Sequence, residues 1–448
     1  MPEILIQNAN IVSMDDKVGD FIGDILISDD KILEVGKNLT APEGAKIIDA
    51  SGKIALPGFV NAHIHTWQTA LRGIAADWTI SQYLRAMHAG LATHFSAEDI
   101  GIANAMGALN QINSGTTTLV DWCHNNPTAE HTDAAVEGLQ ASGIRAVFLH
   151  GSPKPDPKSG QKHFSELPMP RSEVERLRKG SLSSNDALVT MGLAVLGPQM
   201  SVWEVCEADF NMAKEMGLIA SMHVSGPLMV EDGFEQLAAL GLLGSNINIV
   251  HGNVLSGDRL KLLVDQGCSF SLTPEVELQM GFGNPLTSPL RELGGLISLG
   301  SDIESAMTGD MFSVARATLQ AVRHADNLVE RASTGACPPE ITVTSREALR
   351  WVTIDGARMA GLDHKIGSLT PGKQADIVLL DATAINMHPV NDPVASILFH
   401  ANTGNVDTVL IDGNIVKQDG ALTSPPSEQQ MNQLATSGAR IIGAFQKS

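Results

Sequence analysis

Short apolar runs alternate with helix-like segments through the middle of the chain. Each run has the length and the β-branched content of a buried strand, and each is followed by a segment whose apolar residues recur at helical spacing. The eight runs are the one that leads to His65 and residues 116–121, 144–150, 188–195, 218–223, 246–251, 268–272 and 296–302. Eight such units predict an α/β fold: a (β/α)8 barrel of the TIM type over residues 58–364, with its site at the carboxyl ends of the strands.

Both ends of the chain show a different pattern, in which strand-like runs follow one another. Residues 24–35 contain two apolar runs around a Ser-Asp-Asp turn, which predicts a β-hairpin. Comparable runs return near the C-terminus at 375–380, 406–411 and 414–416. We therefore predict one small β-sandwich domain built from residues 1–57 and 365–423, followed by a helical tail over 424–448.

Composition and charge narrow the class of protein. The chain has 448 residues and a formal net charge of −20, which argues against nucleic acid or an anionic membrane as a partner. Its four cysteines are widely separated and form no CxxC pair, so a disulfide framework or a thiolate zinc site is not expected. The sequence opens without a signal-peptide pattern, and no apolar run approaches the roughly 20 residues that cross a bilayer. We expect a cytoplasmic protein that acts on a small molecule.

Four histidines and an aspartate close several of the predicted barrel strands. His63 and His65 lie two residues apart, so both side chains point to the same side of a strand. His223, His251 and Asp302 each end a separate run. A single such histidine is more often a core residue, and a single aspartate more often caps a helix. Five of them at the ends of barrel strands instead predict a site for one divalent metal ion, with zinc preferred over iron or manganese.

Such a site would carry out hydrolysis. The metal would lower the pKa of a bound water toward about 7 and so supply hydroxide as the nucleophile. Asp302 would bind the metal and accept the proton of the attacking water. His251 would polarise the hydroxide or the developing oxyanion of the substrate.

The pattern resembles the amidohydrolase superfamily, in the branch of cytosine deaminase, methylthioadenosine/adenosylhomocysteine deaminase and the triazine hydrolases. The segments that carry this resemblance are PGFVNAHIH (57–65), ALRG (70–73), GTTT (115–118), SD (301–302), DMF (310–312) and GSLTPGKQAD (367–376). The resemblance covers nearly the whole chain and implies that the metal ligands are His63, His65, His223 and Asp302. It further implies that His251 is the nearby polarising histidine, that the termini form a β-sandwich, and that the protein is a homo-oligomer.

Two departures from the pattern of that superfamily bear on the mechanism. Members with two metals place a carboxylated lysine at the end of the fourth strand, whereas residues 188–195 contain no lysine, so we predict a mononuclear site. In the deaminases of this branch, a glutamate follows the fifth-strand histidine by three residues and protonates a ring nitrogen. Here that position is Gly226, which calls for another proton carrier or another reaction.

Two carboxylates after the seventh predicted strand are candidates to replace that glutamate. We predict Glu277 as a catalytic proton carrier and Glu275 as a substrate-binding residue. The alternative is that Glu275 lies at a helix N-terminus and Glu277 faces solvent. Further along the same segment, Met280 and Phe282 are candidates for an apolar wall of the pocket.

Other candidate substrate-binding residues follow from their position at strand exits. Trp67 and Gln68 come directly after the histidine pair, and His124 follows the second predicted strand. We predict that all three contact the substrate. Residues 151–180 are rich in proline, lysine and serine, which predicts a long loop over the site.

The sequence supports three hypotheses about function. The leading one is a metal-dependent hydrolase in which metal-bound hydroxide attacks an sp² carbon bonded to nitrogen, deaminating or cleaving a C–N bond of a small N-heterocycle or aromatic substrate. The second is hydrolysis of an amide, a lactam or a carbon–halogen bond, which needs no protonated ring nitrogen and which Gly226 favours. The third is a non-catalytic binding barrel, which the presence of all five metal-site residues disfavours.

Overall fold

The structure, a computed structural model, describes residues 3–447. Within that range the strands are β1 (Ile4–Val12), β2 (Asp20–Ser28), β3 (Lys31–Gly36), β4 (Lys46–Asp49), β5 (Lys53–Pro57), β6 (Phe59–Ile64), β7 (Thr116–Cys123), β8 (Arg145–Gly151), β9 (Val189–Ala194), β10 (Ala220–Val224), β11 (Ile247–His251), β12 (Ser269–Leu272), β13 (Leu296–Leu299), β14 (Ile377–Asp381), β15 (Val406–Ile411), β16 (Asn414–Gln418) and β17 (Ala421–Leu422). The α-helices of the same range are α1 (Ile80–Tyr83), α2 (Ala97–Asn113), α3 (Ala129–Ser142), α4 (Arg171–Lys179), α5 (Gly197–Met200), α6 (Trp203–Met216), α7 (Gly233–Ala239), α8 (Gly257–Asp265), α9 (Pro274–Met280), α10 (Thr287–Leu293), α11 (Met311–Thr334), α12 (Ser345–Trp351), α13 (Ile354–Met359), α14 (Pro393–Phe399) and α15 (Glu428–Phe445). Strands β6–β13 alternate with helices, whereas β1–β5 follow one another without helices, as the sequence predicts.

Strands β6–β13 form a parallel eight-stranded sheet that is nearly closed into a barrel, with the strands adjacent in chain order. The closure lies between β6 and the segment after β13, where Ile64 forms a parallel bridge to Asp302. The backbone N–H of His65 donates to the carbonyl oxygen of Asp302 at 2.7 Å, and the N–H of Asp302 donates to the carbonyl oxygen of His63 at 3.0 Å. The barrel therefore closes through the backbone of three predicted metal ligands.

The observed strands confirm the predicted α/β barrel. All eight residues of β7 and all seven of β8 are buried. Parallel strands covered on both faces read in sequence as continuous apolar runs, which is why the pattern was informative. The last strand differs from its prediction, because β13 ends at Leu299 and residues 300–302 leave the regular sheet to reach β6.

Gly300 allows this closure because a side chain would not fit there. A Cβ atom at position 300 would lie 2.5 Å from the carbonyl oxygen of His63 and 2.7 Å from its nitrogen. Interiors are packed too tightly to accept such contacts without displacing the backbone. Glycine at this position thus allows the two ends of the sheet to approach each other closely.

In the described part of the chain, the two ends build a separate nine-stranded mixed sheet in the order β17-β16-β15-β14-β5-β1-β2-β3, with β4 paired to β1. Strands β2 and β3 form the predicted hairpin, with Ser28 opposite Lys31. Strand β14 runs antiparallel to β5, so N-terminal and C-terminal strands meet within the sheet. Its buried core includes Ile6, Ile25 and Leu379, which come from both ends. One β-rich assembly therefore draws on both termini.

The described chain divides into two compact units. One comprises the residues through Ala62, Leu109–Thr118 and Asp310–Pro425, and the other comprises His63–Ala108, Leu119–Gly309 and the residues from Pro426 onward. The domain boundaries given above from sequence stay predictions. The predicted tail helix is present as α15. In residues 3–447, no helix combines the length and the apolar character needed to cross a membrane.

The prediction of one long loop over residues 151–180 is wrong in its second half, where α4 forms. This helix buries only Val174 and Leu177. These two residues are three positions apart, on one face of the helix, and most of the other positions are charged, so the apolar pattern is helical but very short. Ion pairs of Arg176 with Glu173 and Asp133 accompany the helix on its exposed side.

We predict that Gly300→Ala lowers both stability and metal content. The added methyl group has to displace the backbone of His63, at a cost of roughly 1–3 kcal/mol in the free energy of unfolding. Denaturant unfolding measures the first effect, and metal analysis of the purified protein measures the second. Gly443→Ala is the matched control, because nothing lies within 4 Å of that Cβ position in α15. Equal behaviour of the two variants would contradict the role given to Gly300.

Candidate metal centre

The four predicted metal ligands converge at the carboxyl end of the barrel. One ligand atom from each of them lies within 4.8 Å of the others. The Oδ1 atom of Asp302 is 3.3 Å from Nε2 of His63 and 3.5 Å from Nε2 of His65. The Nε2 atom of His223, in β10, is 3.3 Å from Nε2 of His63. Three imidazoles and one carboxylate thus face a common point.

The protonation states of these side chains suit a divalent metal. The Nδ1–H of His65 donates to the carbonyl oxygen of Trp122 at 2.6 Å, which leaves Nε2 as the electron-pair donor. Burial lowers the pKa of His65 to about 3 and holds the pKa of His223 well below its ordinary value, so both rings are neutral at pH 7. Burial alone would raise the pKa of Asp302, but the hydrogen bond to His63 and the nearby histidines lower it. Neutral imidazoles and an ionised carboxylate fit a metal of zinc-like character.

The fifth residue, His251, connects this cluster to Glu277. Its Nε2 atom is 4.0 Å from Oδ2 of Asp302, while its Nδ1 atom is 3.0 Å from Oγ1 of Thr273 and 3.4 Å from Oε1 of Glu277. Glu277 is fully buried, and its Oε1 accepts a hydrogen bond from the N–H of Thr273 at 2.7 Å. The interpretation that Glu277 faces solvent is therefore wrong. Glu277 lies on the side of the imidazole away from Asp302, and the half-buried Glu275 lies in the first turn of α9.

Two residues of the centre have a strained backbone. Asp302 has φ of 62° and His251 has φ of 67°, both in the left-handed region. Such a conformation costs a non-glycine residue on the order of 1–3 kcal/mol and persists where the surroundings fix it, as they do at functional sites. Here the closing hydrogen bonds of the barrel fix Asp302. The N–H of Gly252 donates to the carbonyl oxygen of Val224 at 2.7 Å and fixes the chain after His251.

The cluster forms part of the wall of a cavity that encloses about 510 Å³, including its open mouth. Val276, Met280 and Phe282 form an apolar wall. The ring of Phe282 is centred 4.7 Å from the ring of His251. Met280 and Phe282 thus occupy the positions that the sequence suggested for them.

A side chain from another strand end fills the space beside Gly226. The Oε1 atom of Gln199, in α5, accepts hydrogen bonds from the N–H groups of Ser225 at 2.6 Å and Gly226 at 3.0 Å. A Cβ atom at position 226 would lie 3.4 Å from Nε2 of Gln199. Gln199 also lines the cavity. Because its oxygen is engaged with the backbone, it offers the cavity a neutral N–H donor that cannot transfer a proton.

The predicted substrate-binding residues near β6 and β7 form a layer behind the cavity wall. Trp67 is fully buried, and its ring is centred 5.5 Å from that of His124. The Nε2 of Gln68 donates to the hydroxyl of Tyr83 at 2.5 Å. Nε2 of His124 is 2.9 Å from Nδ1 of His88. Tyr83 and His88 line the cavity, Trp67 and Gln68 lie behind them, and His124 lines an adjoining cavity.

A second cavity lies beside the first and shares His88 and Lys154 with it. Lys154 follows β8 and is only 9% exposed. Its Nζ atom lies 5.0 Å from the centroid of a Trp122 ring. Burial lowers the pKa of Lys154 to about 8.

Gln199, His88 and Lys154 are the cavity residues that sequence reasoning missed. Gln199 and Lys154 each follow a barrel strand within a few residues, so a survey of polar residues after every strand would have found them. Lys154 lies in a segment rich in proline and lysine, where a lysine is normally exposed. His88 lies in a helical turn far from any strand end, and nothing in the sequence distinguishes it.

A nearly closed parallel barrel with histidines and an aspartate at its strand ends is the arrangement expected of a metal-dependent hydrolase. Residues 54–416 match the amidohydrolase family. Since this match covers most of the chain, the protein belongs to the amidohydrolase family, which confirms the resemblance found in the sequence. It is therefore a metal-dependent hydrolytic enzyme that acts on C–N bonds of small molecules.

Individual relatives align with 95% or more of the chain. It is 29% identical to the 5'-deoxyadenosine deaminase of Methanobrevibacter smithii, over 95% of each chain. It is 26% identical to the 5-methylthioadenosine/S-adenosylhomocysteine deaminase of Desulforamulus reducens, over 99% of this chain and 100% of the relative. The fold matches the zinc-complexed atrazine chlorohydrolase of Arthrobacter aurescens TC1 with a TM-score of 0.83 and 22% identity, over 98% of this chain and 100% of that one.

We predict that the purified protein binds one equivalent of divalent metal and that His223→Ala binds much less after dialysis against a chelator. Loss of one of the four ligands weakens the site, and removal of the metal from the native protein should lower its melting temperature, because a ligand bound only to the folded state stabilises it. Metal analysis and thermal unfolding provide the two measurements. The exposed His364→Ala is the control. Two equivalents per chain would refute the mononuclear site.

Proposed function

We propose that this chain is an aminohydrolase that displaces ammonia or an amine from an sp² carbon of a small nitrogen heterocycle. The observation that carries the proposal is the convergence of His63, His65, His223 and Asp302 in a cavity next to His251. The names of the two full-length relatives, both deaminases of adenine nucleosides, support the reaction class.

The metal ligands would hold one ion, which we take to be zinc. When bound, it supplies the Lewis acidity that makes water a nucleophile near neutral pH. The carboxylate of Asp302, whose Oδ2 lies toward His251, is placed to accept the proton of the attacking water. When both ring nitrogens carry a proton, His251 would donate a hydrogen bond from Nε2 to the oxygen that develops negative charge on the substrate.

Glu277 acts in this proposal through His251 rather than on the substrate. Its carboxylate faces Nδ1 of His251 at 3.4 Å, so it favours a proton on Nδ1. It also favours the ring orientation in which Nε2 is directed at Asp302. The hydrogen bond from Thr273 fixes the carboxylate in turn. Glu277 is thus a positioning residue, and the role of direct proton carrier passes to another group.

A second candidate reaction is hydrolysis of an amide, a lactam or a carbon–halogen bond. The neutral donor Gln199 beside Gly226 favours it, because an amide N–H can stabilise a departing group or a carbonyl oxygen without protonating a ring nitrogen. Direct substrate contact by Trp67, Gln68, His124 and Glu275, a cytoplasmic location and a homo-oligomeric state remain predictions.

We predict that Glu277→Gln lowers kcat by about 10- to 100-fold and leaves metal content unchanged. Glutamine can still accept the N–H of Thr273, but it removes the negative charge that faces Nδ1 of His251. Steady-state kinetics and metal analysis test the two statements. Glu292→Gln, at an exposed position of α10, is the control. Full activity of the Glu277 variant would exclude this role.

Ammonia release decides between the two reactions. We expect release from at least one member of a panel of aminated purines, pyrimidines, pterins and triazines, measured with the metal-loaded enzyme. Asp302→Asn should abolish it, which guards against a contaminating deaminase. If no member releases ammonia while an amide, lactam or haloheterocycle is hydrolysed, the second reaction replaces the first.

A further inference from the structure

Lys154 places a positive charge in the cavity wall without a counter-charge. Within residues 3–447 it forms no hydrogen bond or ion pair, and its Nζ atom lies 5.0 Å from the centroid of a Trp122 ring. The residue is only 9% exposed. Moving an ammonium group out of water costs more free energy than its contact with an aromatic face recovers. The structure therefore carries an unbalanced cation at this position.

This cation lies next to the reacting centre. The ring of Trp122, over which Lys154 lies, is centred 4.3 Å from the ring of the metal ligand His223. Lys154 and His88 also line both the cavity of the metal centre and the adjoining second cavity. A substrate whose reacting carbon lies near Asp302 would therefore extend a substituent toward Lys154.

The surroundings indicate which substituent would fit. Of the described residues that line the two cavities, only Asp302 is acidic, and it belongs to the metal cluster. His88 and His124 lie in the wall beside Lys154, with Nε2 of His124 2.9 Å from Nδ1 of His88, and add hydrogen-bonding groups there. One lysine balances one negative charge, which suits a carboxylate better than a doubly charged phosphate.

We propose that Lys154 is a substrate-recognition residue that binds a singly charged oxygen anion, namely a carboxylate substituent of the substrate. This inference rests on the proposed function for the identity of the reacting end. It adds that the natural substrate is an anionic heterocycle, whose charged end lies at the junction of the two cavities. At pH 7 the lysine is mostly protonated, since its pKa of about 8 lies above that pH.

The test compares two probes of nearly the same shape, nicotinate with a carboxylate and nicotinamide with an uncharged carboxamide, by calorimetric titration of the metal-loaded protein. The wild type should bind nicotinate about tenfold more tightly, as expected for one hydrogen bond to a charged group. In Lys154→Met that preference should fall to about one, while Lys154→Arg retains part of it. Lys158→Met, an exposed lysine of the same segment, should behave like the wild type.

Two outcomes would overturn the proposal: equal affinities of the wild type for the two probes, or a preference that survives in Lys154→Met because the carboxylate binds the metal instead. Metal content and melting temperature show whether each variant is folded. If Lys154→Met does not fold, Lys154→Gln takes its place, and a preference unchanged in that variant counts against the proposal. Because the measurement needs no turnover, a failure to release ammonia affects the proposed reaction alone.

Discussion

The geometry of this enzyme depends on a pair of backbone hydrogen bonds that join the two ends of the barrel sheet. They link His63 and His65 to Asp302, so the contact that closes the barrel also sets the separation of three metal ligands. The left-handed conformation of Asp302 and the absence of a side chain at Gly300 are both needed for that contact.

The sequence was informative wherever burial dictated a pattern. The barrel strands appear as continuous apolar runs because both of their faces are covered, and the ligands appear because each one ends such a run. It was uninformative where side chains meet across the fold. Gln199 reaches the backbone of Ser225 and Gly226 from a different strand end, and α4 forms with only two buried apolar residues. The contact of Gln199 leaves no local trace in the chain, and α4 leaves only the short pair Val174 and Leu177.

The polar groups of the cavity are of two kinds, ionisable side chains around Asp302 and the neutral amide of Gln199. Asp302, His251 and Glu277 lie in sequence on one side, with 4.0 Å between Asp302 and His251 and 3.4 Å between His251 and Glu277. Beside Gly226, where related deaminases have a glutamate, Gln199 contributes a donor that keeps its protons. In the proposed reaction, a leaving group that needs a proton would obtain it from the side of Asp302 and His251. This constraint is stricter than in an enzyme with acids on both sides.

The short helix α9 has a further consequence. Its seven residues carry Val276 and Met280 on the apolar wall, and between them Glu277, whose carboxylate secures both the helix start and the imidazole of His251. One helix therefore carries both the side chains that shape the pocket and the carboxylate that contacts His251. Substitution of Val276 and Met280 would change the range of substrates and leave Glu277 in place. A tilt of the helix would change selectivity and turnover together.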